Sequence, residues 1–321
     1  MIEDIRSAIA AIPYPQHPEG LYEPIAYVMS MGGKRLRPML MLLCYSVFRP
    51  DWQKALPAAT ALELYHNHTL LHDDLMDHAD VRRGKPTVHR RWDENTAILS
   101  GDTMLLMAAR QMAQQRIGRH EEANECFLKS AIEICEGQQY DVNFEKRHDV
   151  TEEEYIEMIR LKTSVLLGCA AKIGALLAGA SDTDCNILYS FAEKIGLAFQ
   201  LQDDYLDCFG NEQTFGKRIG GDILCGKKTF MTVSAMQRME NEADRKAFLG
   251  ILDATAETRE AERTKIDLVI DIYRKLGIAK VADARIQQFY DEAHRILLTL
   301  DADTTTSVSY THLTLPTICS V

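Results

Sequence analysis

Glycine and proline, the residues that most often interrupt regular structure, are scarce in this chain, at 18 and 9 of 321 residues. Between them lie long stretches in which apolar residues recur every three or four positions, the period of an amphipathic helix. The alternating pattern of a β-strand is absent before the last dozen residues. The sequence therefore predicts an all-α fold.

Basic residues are also in deficit, because 36 Lys and Arg stand against 47 Asp and Glu and give a net charge of -11. Such a chain lacks the cations that neutralise nucleic-acid phosphates, so we expect no nucleic-acid partner. The hydrophobic share of 46% suffices for a sizeable core and argues against global disorder. The acid excess directs attention to places where carboxylates cluster.

Disulfide, targeting and membrane signals are missing as well. The eight cysteines form no C-x-x-C pair, which indicates reduced thiols. The N-terminus has no basic start followed by an apolar run, so no signal peptide is predicted. The most apolar stretch, residues 165–180, contains Lys172 and is short for a bilayer span. We therefore expect a cytoplasmic protein without stable membrane insertion.

No low-complexity linker divides the chain, so one catalytic domain is predicted over residues 1–300. Breaks fall at Gly32-Gly33, at residues 83–86 and in the glycine-rich stretch 216–226. Residues 304–321 are rich in threonine and lack the helical period. Residues 301–321 are therefore predicted to form an atypical, disordered tail.

One motif occurs twice. The pattern D-D-x-x-D begins at Asp73 and again, about 130 residues later, at Asp203, each time in a mostly apolar helical stretch. Residues four apart share a helix face, so Asp73 and Asp77 point together, as do Asp203 and Asp207. Carboxylates so close repel each other unless a cation lies between them. Mg²⁺, which takes one or two carboxylates together with substrate phosphates, fits that need.

Three simpler interpretations compete with a magnesium site. One D-D-x-x-D motif can be a solvated acidic face, whereas two copies in apolar surroundings favour a metal. A His/Asp phosphohydrolase would use His72 and Asp73 but would leave the second motif without a role. His68 and His72 have the i,i+4 spacing of zinc ligands, yet nothing else nearby resembles a zinc site.

Cations follow glycine turns at two places. Lys34, Arg35 and Arg37 come directly after Gly32-Gly33, and Arg82-Arg83-Gly84 follows the first aspartate motif. Fixed cations beside backbone that a ligand can approach suit the binding of a diphosphate.

With these motifs in this order, the sequence resembles the trans-isoprenyl diphosphate synthases (farnesyl, geranylgeranyl and longer polyprenyl diphosphate synthases) from roughly residue 27 to 288. The resemblance implies a single helical bundle around a central cavity, the isoprenoid synthase fold, and a homodimer. It implies a transferase that joins isopentenyl diphosphate head to tail to dimethylallyl, geranyl or farnesyl diphosphate. Ionisation, condensation and elimination would follow in turn, and the released pyrophosphate would remove the last proton.

The resemblance also implies roles for residues at matching positions. Three Mg²⁺ ions would be held by Asp73, Asp77 and Asp203. Isopentenyl diphosphate would contact Lys34, Arg37, His66 and Arg83. The allylic diphosphate would contact Arg82, Lys162, Thr163, Gln200, Lys217 and Lys227, although Lys228 makes the last choice ambiguous. Asp74, Asp204, Arg82, Lys162 and Lys217 would join the three metal-binding aspartates in catalysis, and Gln138 and Asp141 match a further motif that faces the site.

Product length in this family depends on the depth of the cavity below the first motif. His68 and Thr69 stand five and four residues before Asp73, at positions that often hold aromatic rings in short-chain relatives. Tyr65 lies one turn deeper and is the predicted floor. The first motif carries no two-residue insertion, unlike that of many bacterial farnesyl synthases. We predict a C15–C20 product, with C20 favoured.

Three alternatives remain open from the sequence. A longer-chain polyprenyl diphosphate synthase shares all the motifs. A class I terpene cyclase shares the fold and one motif but does not need Lys34, Arg37 and Arg83. A non-catalytic prenyltransferase subunit usually loses aspartates, whereas all six are present here.

Overall fold

The computed structural model describes residues 1–210 and 219–300. The predicted all-α fold is confirmed, because the only strands among these residues form one two-stranded hairpin. The described chain divides into two compact units. Unit 1 comprises Met1–Lys129 and Cys169–Tyr189, and unit 2 comprises Ser130–Gly168 and Ser190–Thr299. The single catalytic domain over residues 1–300 stays a prediction, and the predicted tail 301–321 lies outside the described residues.

Unit 1 is organised around one helix, α4, which is buried on most of its surface and packs against α6, α3 and α1. Pro57 lies in the first turn of α4, where a missing amide hydrogen is not needed. Asp93 caps α6 by accepting a hydrogen bond from the Thr96 amide at 2.8 Å. The elements up to residue 113 are α1 (Ile2–Ala10), α2 (Glu19–Ser30), α3 (Leu36–Phe48), a 3₁₀ turn (Trp52–Ala55), α4 (Leu56–Met76), β1 (Val81–Arg82), β2 (Lys85–Pro86), α5 (Val88–Arg91) and α6 (Glu94–Ala113).

Three longer helices contribute residues to both units. They are α7 (His120–Glu145), α9 (Val165–Ala178) and α10 (Asp182–Phe209). Unit 2 also contains α8 (Glu152–Ile159), which begins with a reciprocal capping box between Thr151 and Glu154. A π-helical turn, Arg160–Ser164, joins α8 to α9. The remaining helices are α11 (Gly221–Leu224), α12 (Phe230–Arg238), α13 (Glu242–Asp253), α14 (Arg259–Lys275) and α15 (Ile278–Leu297).

The core of unit 2 is built from aromatic side chains on successive helices. Tyr155, Phe230, Phe248, Tyr273 and Phe289 are each at most 3% exposed. Tyr273 places its hydroxyl 2.9 Å from that of Thr232, which satisfies both buried polar groups. Large rings that are fully buried fix the relative positions of the helices that carry them.

By length and composition, residues Glu152–Ala178 are the one described helical segment that could cross a membrane. This segment covers α8, the π-helical turn and α9. Within its apolar window 83% of the residues are buried inside the protein. Burial of this kind is typical of a core helix.

Candidate active site

The first aspartate motif lies at the C-terminal end of α4. Asp73 and Asp74 occupy the last turn, and Asp77 is the cap residue, with its amide donating to the Asp73 carbonyl at 2.9 Å. The C-terminal end of a helix carries partial negative charge, so three carboxylates there repel both the helix dipole and one another. The position therefore favours a bound cation.

Asp74 is 5% exposed and is held by Arg82. The Nε of Arg82 donates to both carboxylate oxygens of Asp74 at 2.7 Å, and its Nη2 lies 3.8 Å from an oxygen of Asp73. Burial raises the pKa of Asp74 to about 6, although the charge of Arg82 opposes the rise. The structure thus brings together the predicted residues Asp73, Asp74 and Arg82.

Arg82 and Arg83 are placed by a tight hairpin in which Val81 pairs with Pro86 and Arg82 with Lys85. The two turn residues, Arg83 and Gly84, both have positive φ, at 52° and 74°, as a type I′ turn requires. From this turn Arg83 donates through Nη1 to the carbonyl of Gly32 at 2.5 Å. Gly33 has φ 123°, a backbone conformation that residues with a side chain rarely adopt, so glycine is required there.

Arg37 and His66 form a second pair, with Nη1 of Arg37 lying 3.1 Å from Nε2 of His66. Burial lowers the pKa of His66 well below its usual range, and the positive charge of Arg37 lowers it further. The ring is therefore neutral, and its Nε2 accepts the hydrogen bond from Arg37. The Nε of Arg37 is buried and has no hydrogen-bond partner among the described residues. A donor in that state indicates a site for an acceptor, and a diphosphate is one.

The basic run from Lys34 to Arg37 contains one residue with a different role. Arg35, in the left-handed conformation with φ 55°, is 7% exposed and forms an ion pair with the buried Glu63. Asn67 also donates to Glu63, at 2.9 Å. Sequence reasoning missed Glu63, although one glutamate in the apolar run Ala-Leu-Glu-Leu-Tyr was a usable signal. Lys34, in contrast, is exposed.

The second motif lies near the end of α10, and hydrogen bonds from protein groups position the carboxylates of Asp204 and Asp207. Asp204, 3% exposed, accepts hydrogen bonds from the Tyr155 hydroxyl at 2.5 Å and the Gln200 amide at 3.1 Å. Burial raises its pKa to about 7, and the charge of Asp222 adds to the rise. Sequence reasoning missed Tyr155, which reads as an ordinary aromatic core residue.

Asp207 accepts hydrogen bonds from the Gly221 and Asp222 amides at 3.2 and 3.1 Å, at the start of α11. Its carboxylate thus anchors α11, the short helix within the glycine-rich stretch. The expected common face of Asp203 and Asp207 is therefore occupied in part by contacts with the backbone. The metal role of Asp203 stays a prediction.

The π-helical turn carries the predicted pair Lys162 and Thr163. The Nζ of Lys162 lies 2.6 Å from a carboxylate oxygen of Asp141, and the Thr163 hydroxyl donates to the Gln200 side chain at 3.2 Å. A Cβ on Gly137 would clash with the Lys162 backbone, so glycine is needed for this close approach. Turns of this type inside helices often mark functional sites. Gln138 lies beside Gly137 on α7.

The surroundings of Lys228 bear on which of the two adjacent lysines, Lys227 or Lys228, would contact the allylic diphosphate. The side chain of Lys228 is 6% exposed, and its Nζ lies 3.3 Å from the Gly226 carbonyl and 4.0 Å from Asp253. This packing against the end of α13 favours a structural role for Lys228 and the substrate role for Lys227. Lys217 lies outside the described residues.

The three predicted chain-length residues lie on α4, and one of them, Tyr65, is in contact with a second aromatic ring. Tyr65 is 1% exposed and meets the ring of Phe127 edge-on at 5.3 Å between centroids. His68, 5.6 Å from Tyr65, bonds through Nδ1 to the Gly101 carbonyl at 3.0 Å. Thr69 is half-buried. Sequence reasoning missed Phe127, which lies 62 positions from Tyr65 and carries no local signal.

The carboxylates fit a magnesium ion in their chemistry, since Mg²⁺ takes oxygen ligands. In the part of the chain that the structure describes, no group of three or more His, Cys, Asp and Glu side chains converges as a ready metal cage. Mg²⁺ is commonly bound by one or two carboxylates and completed by water and substrate phosphate. The carboxylates at the end of α4 fit that arrangement better than they fit a closed zinc site.

Comparison with known proteins gives concordant results. The family model for polyprenyl synthetases matches residues 18–269. The chain is 40% identical to a geranylgeranyl diphosphate synthase from Methanosarcina mazei over 84% of this chain and 83% of that protein. It is 37% identical to a geranylfarnesyl diphosphate synthase from Natronomonas pharaonis over 84% and 87%.

A crystal structure of a geranylgeranyl pyrophosphate synthase covers 99% of this chain and 96% of its own, with a TM-score of 0.90 and 39% identity. The isoprenoid synthase fold that the sequence predicts is thereby confirmed. With its paired aspartate motifs and its arginine hairpin in place, the chain belongs to the polyprenyl synthetase family of trans-isoprenyl diphosphate synthases.

Proposed function

We propose that this chain is a prenyltransferase that condenses isopentenyl diphosphate with an allylic diphosphate, head to tail, and releases pyrophosphate. The product is an all-trans prenyl diphosphate of C15–C20, with C20 favoured. The observation that carries the proposal is the pair Arg37 and His66, in which the buried Nε–H of Arg37, next to a neutral ring, has no acceptor among the described residues. A second diphosphate substrate would supply that acceptor.

The two groups of side chains would divide the binding of the two substrates. Lys34, Arg37 and Arg83 would bind isopentenyl diphosphate through charge-assisted hydrogen bonds, while His66 orients Arg37. Arg82, Lys162 and Lys227, with Lys217, would bind the allylic diphosphate. Because the Nε–H of Arg82 donates to Asp74, the Nη groups of Arg82 would bind the diphosphate.

Asp73, Asp77 and Asp203 would hold Mg²⁺, three ions per site, and Asp74 and Asp204 would support them. When bound, these ions supply the positive charge that stabilises a departing diphosphate. Arg82 and Lys162 add fixed positive charge for the same purpose. The double bond of isopentenyl diphosphate then attacks the allylic carbon, a carbon–carbon bond forms, and the pyrophosphate takes the proton that the condensed cation loses.

The aromatic contact below the first motif supports a short product. Tyr65, in contact with Phe127, presents buried aromatic surface one turn below His68 and Thr69. A buried ring that is wedged by a second ring resists displacement by a growing chain. The relatives whose names specify a product include C20 and C25 synthases, so a longer product is the second candidate.

We also propose that the protein is a cytoplasmic homodimer. In unit 1 the side chains of Ile98, Leu99 and Leu106 on α6 are 44%, 59% and 69% exposed, and Leu128 on α7 is 40% exposed. Large apolar side chains exposed together mark protein interfaces more often than bare surface. A second copy of the chain would cover them in a symmetric pair.

One experiment separates this function from that of a terpene cyclase. The protein is incubated with Mg²⁺ and geranyl diphosphate, once alone and once with isopentenyl diphosphate, and dephosphorylated products are identified by mass. A synthase leaves geranyl diphosphate unextended in the first sample and extends it in units of five carbons in the second. Cyclic hydrocarbons in the first sample would contradict the proposal, and so would a well-folded protein that extends no allylic substrate.

A further inference from the structure

A buried lysine distant in sequence from every family motif holds the segment that leads to Lys227. Lys265, on α14, is 7% exposed. Its Nζ donates to the carbonyls of Leu252 at 2.7 Å and Ala254 at 2.9 Å, and reaches that of Leu224 at 3.5 Å. An ammonium group has three hydrogens, and here three backbone carbonyls surround it.

The three carbonyls belong to the ends of two different helices. Leu252 and Ala254 lie at the C-terminal end of α13, and Leu224 is the last residue of α11. Carbonyls at the C-terminal end of a helix have no partner within the helix and carry partial negative charge. One cation therefore joins the ends of α11 and α13 to α14.

A second contact fixes α11 against the same helix. Gly220, with φ 82°, precedes α11, and a Cβ at that position would lie 2.6 Å from Cγ1 of Ile266. Ile266 is the neighbour of Lys265 on α14. The start of α11 thus rests on Ile266, and its end is tied to Lys265.

The held segment connects two residues of the proposed site. At its start, the Gly221 and Asp222 amides bind the carboxylate of Asp207. At its end, three residues beyond α11, the Lys227 amide donates to the Asp222 carbonyl at 2.9 Å, which ties the backbone of Lys227 to the helix. A displacement of α11 would therefore move Lys227.

We propose that Lys265 is a positioning residue for binding of the allylic diphosphate: through its bond to the end of α11, it sets the position of Lys227. The inference rests on the proposed function, since it assigns Lys227 to that substrate. The Nζ of Lys265 donates to backbone carbonyls, so its effect on the reaction is indirect.

The test compares Lys265→Met, Lys265→Arg and the control Lys275→Met, which removes an exposed lysine from the last turn of the same helix. The Michaelis constants for both substrates, kcat and the thermal midpoint are measured for each. Lys265→Met is expected to raise KM for the allylic diphosphate roughly tenfold or more, because small displacements of binding groups are costly. KM for isopentenyl diphosphate should stay within about twofold, because none of its proposed contacts moves.

Lys265→Arg, which keeps the charge and the donors, should recover part of the affinity for the allylic diphosphate. Lys275→Met should match the wild type. A folded Lys265→Met with both KM values unchanged would overturn the proposal, as would a parallel loss in both KM values that tracks the thermal midpoint.

Should Lys265→Met not fold, Lys265→Gln takes its place, because the shorter, uncharged side chain withdraws the ammonium group from the Leu224 carbonyl and keeps an amide donor for a helix-end carbonyl. The same selective rise in KM supports the proposal, and wild-type values for both substrates overturn it. Activity of the wild type in the same assay reports separately on the proposed function. A wild type that extends no substrate refutes that function. An active wild type whose Lys265 variants have unchanged KM values refutes only the role of Lys265.

Discussion

Arg82 donates one Nε–H to both carboxylate oxygens of Asp74 at 2.7 Å, so the second aspartate of the first motif orients an arginine. Asp74→Ala is therefore expected to lower kcat/KM for the allylic diphosphate by about a hundredfold, since it removes the carboxylate that orients the Arg82 guanidinium. KM for isopentenyl diphosphate should change little. Steady-state kinetics with each substrate varied in turn measure both effects.

Asp80→Ala is the matched control for that variant. Asp80 directly precedes β1 of the hairpin and forms an exposed ion pair with Arg90 of α5. Exposed pairs of this kind contribute little. An Asp74→Ala enzyme with wild-type kinetics would show that Arg82 needs no orienting partner.

Arg37 is the second position with a defined outcome. Arg37→Ala removes the guanidinium whose Nε has no acceptor within residues 1–210 and 219–300. KM for isopentenyl diphosphate should therefore rise by about 30- to 150-fold, the equivalent of about 2–3 kcal/mol for a charge-assisted hydrogen bond. Arg37→Lys should recover only part of this loss, since an ammonium group lacks the planar fork. Arg6→Ala, at an exposed arginine of α1, serves as control. A larger effect on the allylic substrate than on isopentenyl diphosphate would refute the assignment.

The sequence predicted much of this site because its residues are close together along the chain. The D-D-x-x-D spacing predicted that the first motif lies on a helix, and the structure places Asp73 and Asp74 in the last turn of α4. The break predicted at residues 83–86 is the hairpin turn at Arg83 and Gly84. Helical periodicity predicted the fold for the same reason, since it depends only on near neighbours.

What the sequence missed depends on contacts between distant residues. The pairing of Arg35 with Glu63 separates one cation of a basic run from the others, and the two partners lie 28 positions apart. Tyr155 meets Asp204 across 49 positions, and Phe127 meets Tyr65 across 62. Such pairs form only when helices pack, so periodicity and spacing along one helix could not predict them.

A pH dependence follows from His68. Burial lowers the pKa of His68 to about 4, below the usual 6.5, so the folded protein holds the ring neutral while the unfolded chain protonates it. Stability from this residue is therefore complete above pH 6.5 and is lost as the pH falls toward 4, by up to about 3 kcal/mol.

Denaturant unfolding of the wild type and His68→Phe between pH 4 and 7 tests this sign. The difference in unfolding free energy between the two should shift in favour of His68→Phe as the pH falls. His148→Gln, at an exposed histidine, should follow the wild type at every pH. Parallel curves for the wild type and His68→Phe would contradict the burial of a neutral ring.

The exposed leucine at position 106 provides a test of the homodimer. Leu106, 69% exposed on α6, should lie in the interface between copies, and Leu106→Glu would place a charge in an apolar contact. Light scattering after size exclusion is expected to show a dimer for the wild type and a monomer for the variant. Leu268→Glu, at a 49% exposed leucine of α14, should remain dimeric. A wild type that is monomeric at all concentrations would refute the proposal.

The most direct measurement of the central claim is the length of the product. The wild type and His68→Phe are each supplied with Mg²⁺, labelled isopentenyl diphosphate and dimethylallyl diphosphate, and the dephosphorylated products are sized by chromatography. We predict an all-trans C20 alcohol from the wild type and a shift to C15 from His68→Phe, because a bulkier ring above Tyr65 shortens the space for the chain. Linear products of the same length from both enzymes would contradict the chain-length role of His68, and the absence of any elongated product from folded wild-type protein would contradict the prenyltransferase itself.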